Sequence, residues 1–231
     1  VTAGTIFHHS RVPLTKWFLA MYLNAESKRG ISATELQYKI GVSYPTAWFM
    51  LFRLRSAMGQ REARHLLRGV VQIDDAYYGG EGHGRVGRGT RRPKAVVAVS
   101  VTDHEVPLHL KIVLVPDFTQ QTINEVVTRF VEKGTKIISD GLNAFGALEQ
   151  AGFPHQAVPT NHLPDGAEPF PVVHTQIANS KAWIGGTFHG LGPKHLQSYL
   201  DEFCFRFNRR RLRSVFERLV IACATSTPAQ Y

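Results

Sequence analysis

Sulfur is scarce in this chain. Its two cysteines, Cys204 and Cys223, both fall in apolar helical patterns near the C-terminus of the 231 residues. Two thiols so placed build neither a disulfide framework nor a zinc cluster, and they read as buried thiols of a reducing compartment. No apolar run approaches the roughly 18 residues that a membrane span needs. The N-terminus lacks the basic, apolar and small-residue order of a secretory signal. These absences make a cytoplasmic protein without a membrane partner the expectation. Acidic residues are also short: 18 Asp and Glu stand against 27 Lys and Arg, for a net charge of +9 and a pI near 9.8. Such an excess selects a polyanionic partner, either nucleic acid or an acidic membrane surface. Internal repeats and low-complexity tracts are missing as well. What is present is a hydrophobic fraction of 43%, enough to exclude wholesale disorder, in a length that suits one sizeable α/β domain plus a small appendage. The chain opens abruptly on Val1, so an upstream portion is expected outside it.

The hydrophobic spacing changes period along the chain. Leu14, Trp17, Phe18, Met21 and Tyr22 recur at helical intervals, and Gly30 ends that helix. Ser32 then caps a short helix, SATELQYKI, with Glu35 at the capping-box position. The turn Gly41-Val42-Ser43 leads into a third helix over about Pro45 to Met58. Helix, glycine turn and helix make the outline of a helix-turn-helix, an outline that three-helix bundles without a DNA role share. From Gly69 the pattern turns β-branched. GVVQIDDAYY reads as a strand, and Ala95–Val101 and His109–Val115 as two more. Thr119 to Lys133 reads as an amphipathic helix, TKIIS as a short buried strand ending at Asp140, Leu142 to Gln150 as a helix, and His155 to Val158 as a fifth strand. Helices return at about His174–Trp183, Lys194–Phe207 and Ser214–Cys223. This is an α/β order with a mixed sheet flanked by helices, preceded by a small helical region. The expected division is a helix-turn-helix region over 1–66 and a second domain over 67–231.

Two carboxylates stand out. Asp74 lies mid-strand in the apolar context VVQID, and Asp140 ends the apolar strand IISD. A carboxylate on a buried strand is costly unless it is paired or binds a cation. Two strands of one sheet can set such groups side by side, where they repel unless a cation neutralises them. Hard oxygen ligands of this kind suit Mg²⁺ or Mn²⁺, and two such ions suit phosphodiester chemistry. The plainer alternative has Asp74 starting a turn, Asp75 exposed beside it, and Asp140 capping the helix after Gly141.

The runs VTAGTIFHHSRVPLTKWFLAMY, GVSYPTAW, QIDDAYYGG, SDGLNAF and GPKHLQSYLDEFCFRFNRR resemble the ISXO-like transposases, of the insertion-sequence family numbered fifteen-ninety-five. The resemblance covers nearly the whole chain, and the motifs stand in the family's order. It implies an RNase H-like catalytic domain with DDE-type chemistry. The first catalytic aspartate of the family matches Asp74, with Asp75 where the family usually has Glu, and the second matches Asp140. The third position departs from the pattern. Many members carry a helical Glu with a Lys seven residues on, whereas HTQIANSKAWIGGTFHG holds no acid. Seven residues before Lys181 stands His174, while Asn179 resembles the Asn of some subgroups. Of these, Asn179 ranks first as third metal ligand, and ordinary loop or cap roles remain open for both. The family's leading zinc ribbon of Cys pairs is also missing ahead of VTAGTIF, so a truncated form or a fragment is expected.

The resemblance implies a transposase of a bacterial insertion sequence that binds element ends as double-stranded DNA, acts as a homo-oligomer on DNA, and cleaves and joins strands with two Mg²⁺ or Mn²⁺ ions. A decayed or domesticated relative acting only as a DNA-binding protein is the alternative, and a host nuclease of the same fold is a more distant one. Candidate DNA contacts are Lys39, Tyr44 and Arg53 in the helical region, Arg85, Arg88, Arg91 and Arg92 in a Gly-rich basic loop, and Lys181 and Arg209. A solvated hairpin and ordinary helix-end compensation are the plainer readings of the loop and of Arg209.

Overall fold

A computed structural model of the chain describes residues 2–79, 92–140, 143–158 and 170–228. They form two units, one of residues 1–64 with 182–231 and one of residues 65–181.

The first unit is helical. Helices α1 (Leu14–Glu26), α2 (Ala33–Ile40) and α3 (Tyr44–Ala63) come from the N-terminal part, and α6 (Pro193–Asn208) and α7 (Val215–Thr225) from the C-terminal part. The capping signals act as the sequence suggests. Ser32 accepts from the Glu35 N–H at 3.1 Å to start α2, and Ser43 accepts from the Thr46 N–H to start α3. Gly41 closes α2 in the left-handed region at φ 61°, where a side chain is disfavoured. Helix α3 runs past the expected Met58 because Gly59 does not stop it. A Cβ at that position would meet the Asp201 carboxylate at 2.6 Å, the end of a flexible side chain that can turn aside.

Trp17, Met21, Leu36, Leu51 and Leu54 share one core with Phe205, Leu219 and Cys223. This shared core is why the C-terminal helices group with the N-terminal ones. A polar cluster crosses the same unit. Glu202, fully buried, accepts from Arg55 Nε at 2.7 Å, from Arg206 at 2.7 Å and from Asn24 at 3.0 Å, which joins α6 to α1 and α3.

The second unit is built on a five-stranded sheet of β1 (Val70–Tyr77), β2 (Lys94–Val101), β3 (Pro107–Val115), β4 (Lys136–Ser139) and β5 (His155–Ala157). The order is β3-β2-β1-β4-β5. Strands β1, β2 and β3 pair antiparallel, and β1, β4 and β5 pair parallel. This order and these directions are those of the RNase H-like fold that the resemblance implies. Side chains alternate across β1. Val71 and Ile73 enter a core with Ile123 and Val127 of α4 (Gln120–Phe130), while Gln72, Asp74 and Tyr78 meet α5 (Pro171–Thr187). The helix expected over Leu142–Gln150 is a 3₁₀ turn, Asn143–Phe145, followed by further turns. Phe145 and Leu148 are both fully buried, and a spacing of three residues aligns side chains in a 3₁₀ geometry.

A candidate metal centre at the open edge of β1

Strand β1 is paired with β2 along its whole length, but with β4 only at Val70, Val71 and Gln72. Beyond Gln72 no strand pairs with its other edge among the described residues. Gln72 aligns with Ile138, so Asp140, the first residue past β4, comes level with Asp74. Parallel strands ending beside an open edge form the crevice in which α/β sheets place ligands. One ligand oxygen each from Asp74, Asp75 and Asp140 lies within 4.8 Å of the others. Asp74 is 8% exposed, and Asp75 and Asp140 are half-buried. Asp75, exposed in the plainer of the two sequence alternatives, is half-buried and belongs to the cluster.

The electrostatics follow from this crowding. Burial pushes the Asp74 carboxyl up to about 6, and Asp75 and Asp140 add to the rise. His174 and the Asp75 N–H pull the other way, the N–H donating to Asp74 Oδ1 at 2.8 Å. A cation joining carboxylates packed this closely relieves their mutual repulsion. The donor set fits a hard divalent cation: three carboxylates on one rim, one of them almost wholly buried.

Helix α5 faces this cluster, and β1 holds it in register. Gln72 Oε1 accepts from the Val173 N–H at 3.3 Å, satisfying one of the donors that a helix start leaves without an intrahelical partner. One residue on, His174 Nε2 lies 2.9 Å from Asp74 Oδ2. Two turns further, Tyr78 Oη lies 2.8 Å from Ser180 Oγ. Ser180 gives its own proton to the Ile177 carbonyl, so Tyr78 is the donor of that pair. Gln72, Tyr78 and Ser180 are all buried, and none was singled out from sequence. For Gln72 the signal was there, since 72 and 74 share one face of a strand.

The candidate third positions separate. Asn179 is exposed and lies five residues past His174, about 140° around the helix. The structure brings His174 to Asp74, while Asn179 faces solvent. Lys181 returns to the face of His174. Its ammonium is held below its ordinary value by partial burial and by Arg92, while Asp74 and Asp75 pull it up. Lys181 and Arg92 thus stand together beside the cluster.

The remaining candidates for DNA contact divide. Tyr44 is exposed, and Lys39 pairs with Glu35 at 3.1 Å. Arg53 donates to the Ile6 and His8 carbonyls at 2.6 and 3.1 Å and packs over Phe49. Arg209 pairs with Glu62 and stacks on Phe205. Arg53 and Arg209 are therefore engaged by the fold of the first unit. Arg85, Arg88 and Arg91 lie outside the described residues. Among the described residues no helix is long and apolar enough to cross a membrane.

Residues 66–208 match the ISXO2-like transposase domain, a stretch that holds Asp74, Asp140 and His174. The chain belongs to the ISXO2-like transposase family. A further relative is an uncharacterized protein in the transposable element ISH50 of Halobacterium salinarum, 39% identical over 74 residues. That match takes in 32% of this chain and spans 24% of the relative's length. Among solved structures, the catalytic core domain of BIV integrase is 13% identical at a TM-score of 0.40, covering 66% of this chain and 94% of that one. A Mos1 transposase in a paired-end complex with the left transposon end is 10% identical at a TM-score of 0.27, covering 95% and 82%. Membership in the ISXO2-like transposase family rests on the domain match.

Proposed function

We propose that this ISXO2-like transposase cuts and joins DNA at the ends of an insertion sequence, by phosphoryl transfer at the Asp74–Asp75–Asp140 cluster. The observation that carries the reading is the convergence of the three carboxylates within 4.8 Å at the open edge of β1. Asp74 and Asp140 would hold two divalent cations, Mg²⁺ or Mn²⁺, which when bound supply activation of a water or 3′-hydroxyl and stabilisation of the leaving oxygen. Asp75 adds the third negative charge of the site. His174 takes the third position of the family's pattern ahead of Asn179, which reverses their order from sequence. Its contact with Asp74 Oδ2 orients that carboxylate, and an imidazole is a better ligand for Mn²⁺ than for Mg²⁺. Lys181 and Arg92 receive the phosphates that flank the scissile bond. Terminal inverted repeats and target DNA are the substrates of this reading, the host is a bacterial cytoplasm, and a homo-oligomer on DNA is the working form.

The test is a strand-transfer assay on the element's own ends with Mg²⁺ or Mn²⁺. Asp74→Asn, Asp140→Asn and His174→Ala each lose activity by at least about 100-fold, the scale of removing a charge-stabilising group from a reaction centre. Asn179→Ala stays within about twofold, as an exposed substitution away from the chemistry does. Loss with Asn179→Ala and none with His174→Ala overturns the assignment of the third position. A wild-type chain that binds the ends and never cuts them overturns the catalytic reading and leaves a DNA-binding protein.

A further inference from the structure

The helical unit contains a cavity of about 390 Å³ that the chemistry above does not use. It lies where three helices begin: Ser32 to Thr34 open α2, Tyr44 opens α3, and Gly192 precedes α6. The Gly192 start has no side-chain cap. Helix starts present N–H groups and partial positive charge to whatever sits before them.

The walls between these starts are aromatic. Trp48, Phe188, His195 and Tyr199 line the cavity. His195 stands edge-on to Trp48 at 5.3 Å between ring centres, and Phe188 edge-on to Tyr199 at 4.7 Å. A buried cation backs this wall. The Arg55 guanidinium lies 3.7 Å from the centre of Tyr199 and 5.3 Å from that of Phe188. Its Nε is paired with Glu202, but its Nη2 is buried without a hydrogen-bond partner among the described residues. Glu202 is shared with Arg206, so two guanidinium groups face one carboxylate and an excess positive charge remains behind the rings.

Aromatic walls with a positive backing and helix starts at the rim suit a flat aromatic group that carries a phosphate. The volume lies in the range of about 300–1,000 Å³ of small-molecule sites. A paired base in duplex DNA keeps its faces stacked on its neighbours, whereas an unpaired one offers them to protein rings. We propose that this cavity binds an unpaired nucleotide of the DNA substrate, its base among the rings of Trp48, Tyr44 and Tyr199 and its phosphate at the helix starts. The proposal rests on the reading of the chain as a DNA-processing protein. It also accounts for the character of α3, whose Arg53 is engaged by backbone carbonyls while Tyr44, Trp48 and Phe52 form an aromatic row at four-residue intervals.

The full chain is titrated, in EDTA, against a labelled duplex carrying one extrahelical 2-aminopurine and against the same duplex fully paired. The wild type binds the first about tenfold more tightly, the scale of one base stacked on aromatic rings. The 2-aminopurine fluorescence changes on binding. Trp48→Ala and Tyr44→Ala erase the preference and leave affinity for the paired duplex unchanged, while Trp48→Phe keeps most of it. Tyr44 is 49% exposed, so its substitution tests the cavity without threatening the core. Equal affinity of the wild type for both DNAs overturns the proposal. So does a Tyr44→Ala variant that weakens both alike, which would make the surface a duplex contact. Because no metal is present, Asp74→Asn retains the preference. A lost preference with strand transfer intact refutes the cavity alone, and the reverse refutes the catalytic reading alone.

Discussion

Replacing Asp74 with asparagine is expected to abolish activity and at the same time stabilise the metal-free fold. The carboxyl of Asp74 is raised to about 6, first by burial and then by Asp75 and Asp140. In the unfolded chain the same group titrates near ~3.9. The difference of about two pKa units, at ~1.36 kcal/mol each, corresponds to about 3 kcal/mol. The folded state has the higher pKa and so binds the proton more tightly. The penalty is therefore absent below about pH 4, grows as the pH rises, and is complete above about pH 6. Asparagine has nearly the same shape, and its amide oxygen can still accept the Asp75 N–H that now meets Asp74 Oδ1. It carries no charge to desolvate, although its contact with His174 is weaker. The variant is expected to exceed the wild type in stability by about 1–3 kcal/mol at pH 8 in EDTA, and to match it at pH 4. Adding Mg²⁺ or Mn²⁺ cancels or reverses the difference, because a ligand at about 100 times its Kd stabilises the wild type by ~2.7 kcal/mol. Urea denaturation at the two pH values, with and without metal, measures each quantity. A variant less stable than the wild type at pH 8, or an advantage equal at both pH values, refutes the reasoning.

Glu202→Gln leaves Arg55 and Arg206 buried without their counter-charge, and is expected to cost about 3–5 kcal/mol at neutral pH. Burial pushes the Glu202 carboxyl up, but Arg206 and Arg55 pull it further down, to a net position below its usual range. Its stabilisation is thus present above the unfolded value and lost as the pH falls through the lower folded one, so thermal melts of variant and wild type converge in acid. Tyr78→Phe removes the donor to Ser180 while Ser180 keeps its bond to the Ile177 carbonyl, for a cost of about 1 kcal/mol. It is expected to lower the strand-transfer rate with Mn²⁺ affinity unchanged in a calorimetric titration, because α5 loses register over the cluster while the carboxylates stay. A variant with full activity denies Tyr78 a positioning role.

Local signals in the sequence were sufficient for most of the helices and strands. Ser32 and Ser43 as caps, Gly41 as a left-handed stop, and the switch from helical spacing to the β-branched run of VVQID each act within a few residues, so they are legible in one dimension. Asp74 and Asp140 were legible for a related reason, since a carboxylate in an apolar strand announces its own cost. The family motifs carried the same two residues further, to the chemistry they serve. Pattern did not show that Asn143–Phe145 winds as a single 3₁₀ turn with further turns after it, because burial of Phe145 and Leu148 rather than propensity sets that geometry. It did not show that α6 and α7 complete the helical core, because their apolar faces fit either unit until the helices pack. The order of His174 and Asn179 also needed the structure. Both lie in one helix, and only the register imposed by Gln72 and Tyr78 turns one toward Asp74 and leaves the other in solvent. The sequence determined the elements and the two aspartates through local spacing and the cost of burying charge. Tertiary structure decided that His174 rather than Asn179 meets Asp74, because the facing of a helix is a property of what it packs against.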